Sequence, residues 1–311
     1  MDLDISRTLQ LRDRRRFLAQ LAAASGAITS LALPSLAQNL AAVDPNETAI
    51  FRTAVRVVNI LATVRDKTGK IIQGLTKDDF ILEEQGHAQE IRYFTQQSDL
   101  PITIGLLIDV SGSLAALIEE EKTVTLEFVN AVLREQDLGF LIVFAGTVLM
   151  EQRPTSSLAE LSRSIARLRF PPFGGTQIYD AVVMAADDVL KAREGRKVII
   201  VLSDGEDNSS RASLTHAVEA AQRADSLVYT FQIGPLGPSR WERLSTETGG
   251  RYFKNGSSLP AAFSEIRKEL RNQYSLGFEP KAAAAGFRSL KLSTKDKASK
   301  VQARTRYYYE P

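Results

Sequence analysis

Apolar residues in the central part of the chain come in short continuous runs separated by amphipathic stretches. The clearest runs are residues 102–108, 138–144 and 197–202. Such runs are typical of strands buried on both faces of a parallel sheet. The other assignments in this region are strands at 147–153, 227–233 and 251–254, and helices at 114–133, 158–168, 178–193, 214–224, 241–247 and 259–272. This alternation predicts an α/β fold, a doubly wound and mostly parallel sheet with helices on both faces.

The two flanking segments have a different pattern. Residues 49–98 contain short strand-like stretches, among them a predicted hairpin of 80–84 and 89–94 around Gln85 and Gly86. Strand character returns in 274–311, most clearly at 300–309. Neither segment is long enough to bury a core alone. We therefore expect the segments 49–98 and 274–311 to pack together as a small, sandwich-like β domain beside an α/β domain at 99–273.

The first residues have the features of an export signal. Arg14 and Arg15 belong to an arginine-rich start that precedes a mild apolar stretch at 17–33, and the small residues Ser35 and Ala37 follow. This pattern predicts a signal peptide at 1–37, cleavage between Ala37 and Gln38, and a linker at 38–48. An uncleaved anchor and a cytoplasmic helix are the alternatives.

The arginine pair also suggests the export route. Arg14 and Arg15, one further residue and then Phe17 and Leu18 resemble the twin-arginine consensus, although Asp13 departs from it. We expect export to the periplasm or to the outside, by the twin-arginine route.

Composition narrows the chemistry. The chain has no cysteine and two histidines, which excludes thiolate sites and a histidine-rich zinc site. Removal of residues 1–37 would leave equal numbers of basic and acidic residues. The mature chain therefore gives no reason to expect nucleic acid as a partner, and no membrane contact is indicated after cleavage.

Oxygen-bearing side chains follow the predicted strands where a parallel sheet binds ligands, at the carboxyl ends. Asp109, Ser111 and Ser113 follow the strand at 102–108, Thr176 precedes a helix, and Asp204 follows the strand at 197–202. Together they offer up to five oxygens, directly or through water, to a hard cation that takes about six. We expect Mg²⁺, or Mn²⁺ or Ca²⁺, with one position left for a partner's carboxylate.

These five residues resemble the metal-ion-dependent adhesion site of the von Willebrand factor A family, whose pattern is Asp-x-Ser-x-Ser with a distant Thr and a distant Asp. The resemblance extends over about residues 100–272. It implies that Asp109, Ser111, Ser113 and Thr176 lie closest to the metal and that Asp204 often reaches it through water. It also implies a protein ligand that offers an Asp or Glu carboxylate.

The flanking segments resemble a narrower group, the acidobacterial von Willebrand factor A-related proteins. The similar stretches are VRDKTGK at 64–70, GLTKDDF at 74–80, QYSLGF at 273–278 and the aromatic tail at 307–309. This narrower resemblance implies no known reaction.

A non-enzymatic binding protein is the function that the sequence favours. His87 and His216 lie far in sequence from the metal loops, and no serine has an evident base. The alternatives are a magnesium-dependent phosphatase of the haloacid dehalogenase type, using Asp109, Asp204 and Asp207, and a purely structural envelope protein. The phosphatase would need an acid where Ser111 stands. We interpret Glu206 and Asp207 as solvated loop acids rather than metal ligands.

Overall fold

The protein is described by a computed structural model. The structure describes residues 57–96, 100–112, 118–169, 174–204, 207–233, 240–254 and 257–311. The predicted leader and linker lie outside these residues, and with them Arg14, Arg15, Ala37 and Gln38. Ser113 and Glu206 also lie outside them.

The N-terminal segment contains four strands: β1 (Val58–Arg65), β2 (Phe80–Glu84), β3 (His87–Gln89) and β4 (Tyr93–Gln96). β2 and β3 form a hairpin whose turn residues, Gln85 and Gly86, both have positive φ. The predicted second hairpin strand at 89–94 is wrong. The chain leaves this sheet after Gln89, buries Ile91, and then pairs as β4 in another sheet.

The central region alternates strands and helices. Its strands are β5 (Ile102–Asp109), β6 (Leu138–Phe144), β7 (Val148–Thr155), β8 (Arg196–Ser203), β9 (Ser226–Gln232) and β10 (Tyr252–Phe253). Its helices are α1 (Ile118–Val132), α2 (Leu158–Ala166), α3 (Ile178–Val183), α4 (Leu214–Arg223), α5 (Arg240–Thr248) and α6 (Leu259–Arg271). α3 continues as π-helical turns over Met184–Leu190 rather than as one regular helix.

The six strands form one sheet in the order β10-β9-β8-β5-β6-β7, and all neighbours are parallel except the β6–β7 pair. From β5 the chain runs outward to β6 and β7, then returns to the other side of β5 as β8. The strand order therefore reverses between β5 and β8, and ligands of doubly wound sheets bind at this kind of position.

Helices cover both faces of the sheet. On one face, α1, α2 and α6 contribute Phe128, Ile165 and Phe263 to a core shared with alternate residues of β5. On the other face, α3, α4 and α5 pack with Leu107 and Phe140. The predicted fold class is confirmed.

The C-terminal segment adds four strands: β11 (Tyr274–Phe278), β12 (Gly286–Thr294), β13 (Lys300–Ala303) and β14 (Arg306–Tyr309). With the first four strands they form two antiparallel sheets, in the orders β13-β1-β11-β4 and β14-β12-β2-β3. The predicted single strand at 300–309 is two strands, because the chain crosses between the sheets at Arg304. We refer to these eight strands as the sandwich. The domain boundaries given above stay a prediction.

Backbone contacts connect the sandwich to the α/β region. The amide of Thr305 donates to the carbonyl of Glu247 over 3.1 Å. Gly249 has a φ of +89°, and a Cβ there would lie 2.7 Å from the Arg304 nitrogen, so glycine permits this close approach. Within the described ranges, no helix is long and apolar enough to span a membrane.

Candidate metal centre

The centre is built around Asp109, the last residue of the central strand β5. The side chain of Asp109 is completely buried, at 0% exposure. Its Oδ1 accepts a hydrogen bond of 2.8 Å from the amide of Ser111, and its Oδ2 accepts one from the hydroxyl of Ser203 at the end of β8. The two neighbouring strands therefore hold the carboxylate in one orientation at the switch point of the sheet.

The charge of Asp109 has no cationic partner among the described residues. Burial raises the pKa of the Asp109 carboxyl above its ordinary value, and the negative charge of Asp204 acts in the same direction. Hydrogen bonds from Ser203 and Ser111 oppose this rise. A buried carboxylate beside a second carboxylate is costly unless a cation lies near both.

Asp204 directly follows β8 and is half-buried. Within the described part of the chain, its carboxylate accepts no hydrogen bond. The oxygens of Asp204 are therefore available to a cation at the carboxyl end of the sheet, where β5 ends with Asp109.

Thr176 lies in the loop before α3 and is buried, at 6% exposure. Its amide donates to Oδ1 of Asn208 over 2.9 Å, and its carbonyl accepts from the amide of Asn208 over 3.1 Å. Gly175 has a φ of +103°, and a Cβ there would lie 2.7 Å from the Ser209 hydroxyl. The loop that carries Thr176 is therefore fixed against the loop that follows β8 and Asp204.

Asp207 holds the same two loops together. Its carboxylate accepts hydrogen bonds from the amide of Tyr179 in α3 (3.0 Å) and from the amide and hydroxyl of Ser210 (3.2 and 2.5 Å). The interpretation of Asp207 as a solvated residue is wrong, because these donors occupy its oxygens. The spacing of Asp207 and Ser210, three residues apart in a loop, is a local signal that could have indicated a turn of this kind.

Ser203 and Asn208 are the other contributors that the sequence did not single out. Ser203 orients Asp109, and Asn208 positions the backbone of Thr176. Both are polar residues that bond to other polar groups of the site. Their importance comes from contacts between loops that are distant in the sequence.

The described donors fit a hard divalent cation. They are the carboxylates of Asp109 and Asp204 and the hydroxyls of Ser111 and Thr176, with Ser113 outside the described residues. Oxygen donors of this kind suit Mg²⁺, Mn²⁺ or Ca²⁺. Across the described residues there is no group of three or more His, Cys, Asp or Glu side chains that could hold a metal. A cation here would therefore depend on hydroxyl groups as well as on the two acids.

The histidines lie elsewhere. His87 is an exposed residue of β3 in the sandwich, and His216 is exposed on α4. Asp207, which a phosphatase reading would use as a metal ligand, is committed to Tyr179 and Ser210. The described residues around Asp109 thus form a set of oriented oxygens.

This fold and site match a known family. Residues 103–269 match the von Willebrand factor type A domain, and the chain belongs to this family. VWA domains commonly mediate metal-dependent protein interaction or adhesion, and proteins that carry them are typically non-enzymatic. No curated protein matches the chain significantly.

A solved structure from the mussel byssus shares the fold, and two others are similar at lower TM-scores. Proximal thread matrix protein 1 from the mussel byssus, described with a zinc-occupied MIDAS motif, is 18% identical with a TM-score of 0.52 over 61% of this chain and 50% of that one. This chain thus spans about half of the mussel protein. A von Willebrand factor type A protein from Catenulispora acidiphila is 12% identical, with a TM-score of 0.49 over 81% and 72%. BatB from Bacteroides thetaiotaomicron is 19% identical, with a TM-score of 0.47 over 54% and 97%.

Proposed function

We propose that this chain is an exported, non-enzymatic binding protein whose VWA domain holds a divalent cation and captures an acidic group of a protein partner. The observation that carries the proposal is the buried carboxylate of Asp109, which lies beside Asp204 without a cationic partner among the described residues. Asp109, Ser111, Ser113, Thr176 and Asp204 would hold the cation.

The residues around the proposed ligands each have a distinct role. Ser203 and the amide of Ser111 orient Asp109, so that its charge faces the carboxyl end of the sheet. Asn208 and Asp207 hold the Thr176 loop against the loop after β8. Asp109 and the Thr176 loop would therefore be oriented before a partner arrives, which lowers the ordering cost of binding.

A cation at this site would supply a Lewis-acidic position for one more carboxylate. Five protein oxygens, directly or through water, leave at least one position of a six-coordinate ion for the partner. Three of the five donors are neutral hydroxyls, so two carboxylates only balance a divalent charge and the ion keeps its attraction for an acidic group. We propose Mg²⁺ as the ion, with Mn²⁺ and Ca²⁺ as alternatives, because all donors are hard oxygens. The mussel protein carries zinc in its motif.

Export belongs to the proposal as well. It is supported by the arginine-rich leader with Arg14 and Arg15 and by the predicted cleavage between Ala37 and Gln38. The mature protein would act in the periplasm or outside the cell. The similarity to acidobacterial VWFA-related proteins stays a prediction.

Calorimetric titration with MgCl₂ and MnCl₂ tests the metal site. We expect saturable binding of one ion by the wild type and none by Asp109→Ala. Asp188→Ala, which removes an exposed carboxylate from the same domain, is the matched control and should bind like the wild type. Equal heats for wild type and Asp109→Ala would contradict the proposal.

Partner capture needs a separate experiment. Immobilised wild type should retain a partner from envelope extract in Mg²⁺ and release it in EDTA. Thr176→Ala should lose this chelator-sensitive retention and stay folded, while Asp188→Ala should keep it. Cation binding without any chelator-sensitive partner would favour the alternative of a structural envelope protein, in which the ion only stabilises the fold. Hydrolysis of a generic phosphate ester would instead favour the phosphatase.

A further inference from the structure

Asp180, in the first turn of α3, is a further link between the loops of the candidate metal centre. Its Oδ1 accepts a hydrogen bond from the amide of Ala212 over 2.8 Å, and its Oδ2 accepts one from the amide of Arg211 over 2.9 Å. The amide of Asp180 donates to the hydroxyl of Ser210 over 3.1 Å. One residue of α3 thus makes three hydrogen bonds to the end of the loop that begins with Asp204.

These bonds complete the attachment of the loop after β8 to α3. Asn208 and Asp207 hold the middle of this loop, and Asp180 holds its far end. The Thr176 loop runs directly into α3. The first turn of α3 is therefore the common anchor of the two loops.

This anchor matters because the proposed ligands have two different supports. Asp109 ends the central strand, and its carboxylate is oriented by Ser203 of β8 and by the amide of Ser111. Thr176 precedes the first turn of α3, and Asp204 begins the loop that this turn anchors. Mg²⁺ takes oxygens at about 2.0–2.1 Å in near-ideal octahedral geometry, so a small displacement of one support relative to the other weakens its binding.

We propose that Asp180 is a positioning residue of the cation site. It acts through the backbone of the loop after β8 and keeps Thr176 and Asp204 at the distance from Asp109 that a small cation requires. This role rests on the proposed function, because it needs a cation at Asp109. It adds a determinant of cation selectivity that does not itself bind the ion.

Asp137 offers a matched control with the same chemistry in another place. Its Oδ1 accepts from the amide of Ile102 over 2.8 Å, and its Oδ2 accepts from the amide of Arg134 over 2.9 Å. Asp137 is 2% exposed and contacts the first residue of β5, at the opposite end of that strand from Asp109. Asp180 and Asp137 therefore each join two backbone amides, but only Asp180 does so beside the proposed ligands.

The experiment compares Asp180→Asn and Asp137→Asn with the wild type by thermal unfolding and by calorimetric titration with MgCl₂ and CaCl₂. Both variants lose a carboxylate that accepts two N–H groups, so both should lower the unfolding midpoint of the metal-free protein by about 2–4 °C. Only Asp180→Asn should weaken Mg²⁺ binding, by about tenfold. Its Ca²⁺ affinity should fall less, because Ca²⁺ accepts a more flexible geometry. A purely structural role would lower the midpoint and leave the ratio of the two affinities unchanged.

Hydrogen exchange of the metal-free proteins tests the connection between the loops without any ion. Asp180→Asn should raise exchange at the amides of Arg211 and Ala212, whose acceptor is changed. It should also raise exchange at the amide of Thr176, which donates to Asn208. Faster exchange at Arg211 and Ala212 alone would show a purely local contact and would overturn the positioning role.

A second variant separates stability from selectivity. Asp180→Glu keeps both acceptor oxygens on a longer side chain, so it should lower the unfolding midpoint less than Asp180→Asn. The displaced loop should still reduce the preference for Mg²⁺ over Ca²⁺. Equal Mg²⁺ affinities for the wild type and both Asp180 variants would overturn the positioning role alone. No cation binding by the wild type would overturn both this role and the proposed function.

Discussion

Two regions of the molecule each bury a carboxylate completely, and the described residues pair only one of the two with cations. Glu269 of α6 and Asp109 of β5 are both 0% exposed. Glu269 pairs with Arg65 of the sandwich and with Arg251 (3.3 Å), and it accepts hydrogen bonds from Tyr229 (3.0 Å) and Gln302 (3.2 Å). Among the described residues, Asp109 receives only serine hydroxyl and amide donors, and it faces a second acid, Asp204.

The difference separates a charge that is paired within the fold from one that has no cationic partner among the described residues. The surroundings of Glu269 already contain two guanidinium groups, so this carboxylate joins α6 to the sandwich without further help. The described surroundings of Asp109 contain oriented donors and additional negative charge, and no described cation neutralises it. Burial by itself therefore does not identify a metal ligand, whereas burial without a counter-charge does point to one.

The largest expected effect is on the compensated carboxylate. Glu269→Gln should lower the free energy of unfolding by about 3 kcal/mol, because Arg65 and Arg251 lose their shared counter-charge. Glu265→Gln is the matched control on the same helix, since Glu265 also pairs with Arg251 but is 49% exposed. It should cost less than about 1 kcal/mol. Urea unfolding of both variants measures the two losses in free energy of unfolding. Equal losses would contradict a special role for the buried carboxylate of Glu269.

The second prediction concerns the uncompensated carboxylate. Mg²⁺ at a hundredfold excess over its dissociation constant should stabilise the wild type by about 2.7 kcal/mol. The same addition should leave Asp109→Ala unchanged, whatever the stability of that variant without metal, because the binding site is lost. Unfolding with and without Mg²⁺ measures the difference within each protein. A full Mg²⁺ effect in Asp109→Ala would place the cation elsewhere.

A third prediction isolates one donor of the Glu269 cluster. The pKa of Tyr229 is raised well above its ordinary value by burial and by the charge of Glu269, so the phenol stays a hydrogen-bond donor. Tyr229→Phe should lower the free energy of unfolding by about 2 kcal/mol, the range for a hydrogen bond to a charged group. Tyr252→Phe, which removes a half-buried phenol from β10 at the edge of the same sheet, should cost less. Thermal unfolding distinguishes the two.

The smallest effect is expected at Asp207, whose charge is met by amide and hydroxyl donors rather than by a cation. Asp207→Ala should lower the free energy of unfolding by about 1 kcal/mol, as loss of a helix cap does. It should also weaken Mg²⁺ binding a few-fold, because the Thr176 loop loses an attachment. Calorimetry on this variant and on Asp188→Ala provides the measurement. Undiminished Mg²⁺ affinity would show that the Asp207 contacts matter for α3 alone.

The α/β architecture could be predicted because the sequence of each buried parallel strand is a continuous run of apolar residues. The strand at 138–144 was placed at its true bounds, and that at 102–108 missed one residue, Asp109. The positions of Asp109 and Asp204 followed from the same rule, since parallel strands end at a common edge. Local polarity and strand order were sufficient for these features.

The rest depends on contacts between distant parts of the chain. The alternation of apolar residues continues through Ile91 and Phe94, so nothing local shows that the chain changes sheets after Gln89. Arg65 and Glu269 are 204 residues apart, and no local sequence motif predicts that they form an ion pair. The sequence predicts Lys197 as the first residue of an apolar strand. Its burial depends on the packing of β9 and the sandwich, which the local sequence does not indicate.

The pairing of β4 with β11 determines how the molecule responds to mechanical load. The chain enters the α/β domain just after β4 and leaves it into β11, and these two strands are hydrogen-bonded neighbours. A pulling force that stretches the α/β domain through these two connections must first separate β4 from β11. For a domain proposed to grip a partner through a cation, this arrangement keeps tension in the attached segments from distorting the loops around Asp109.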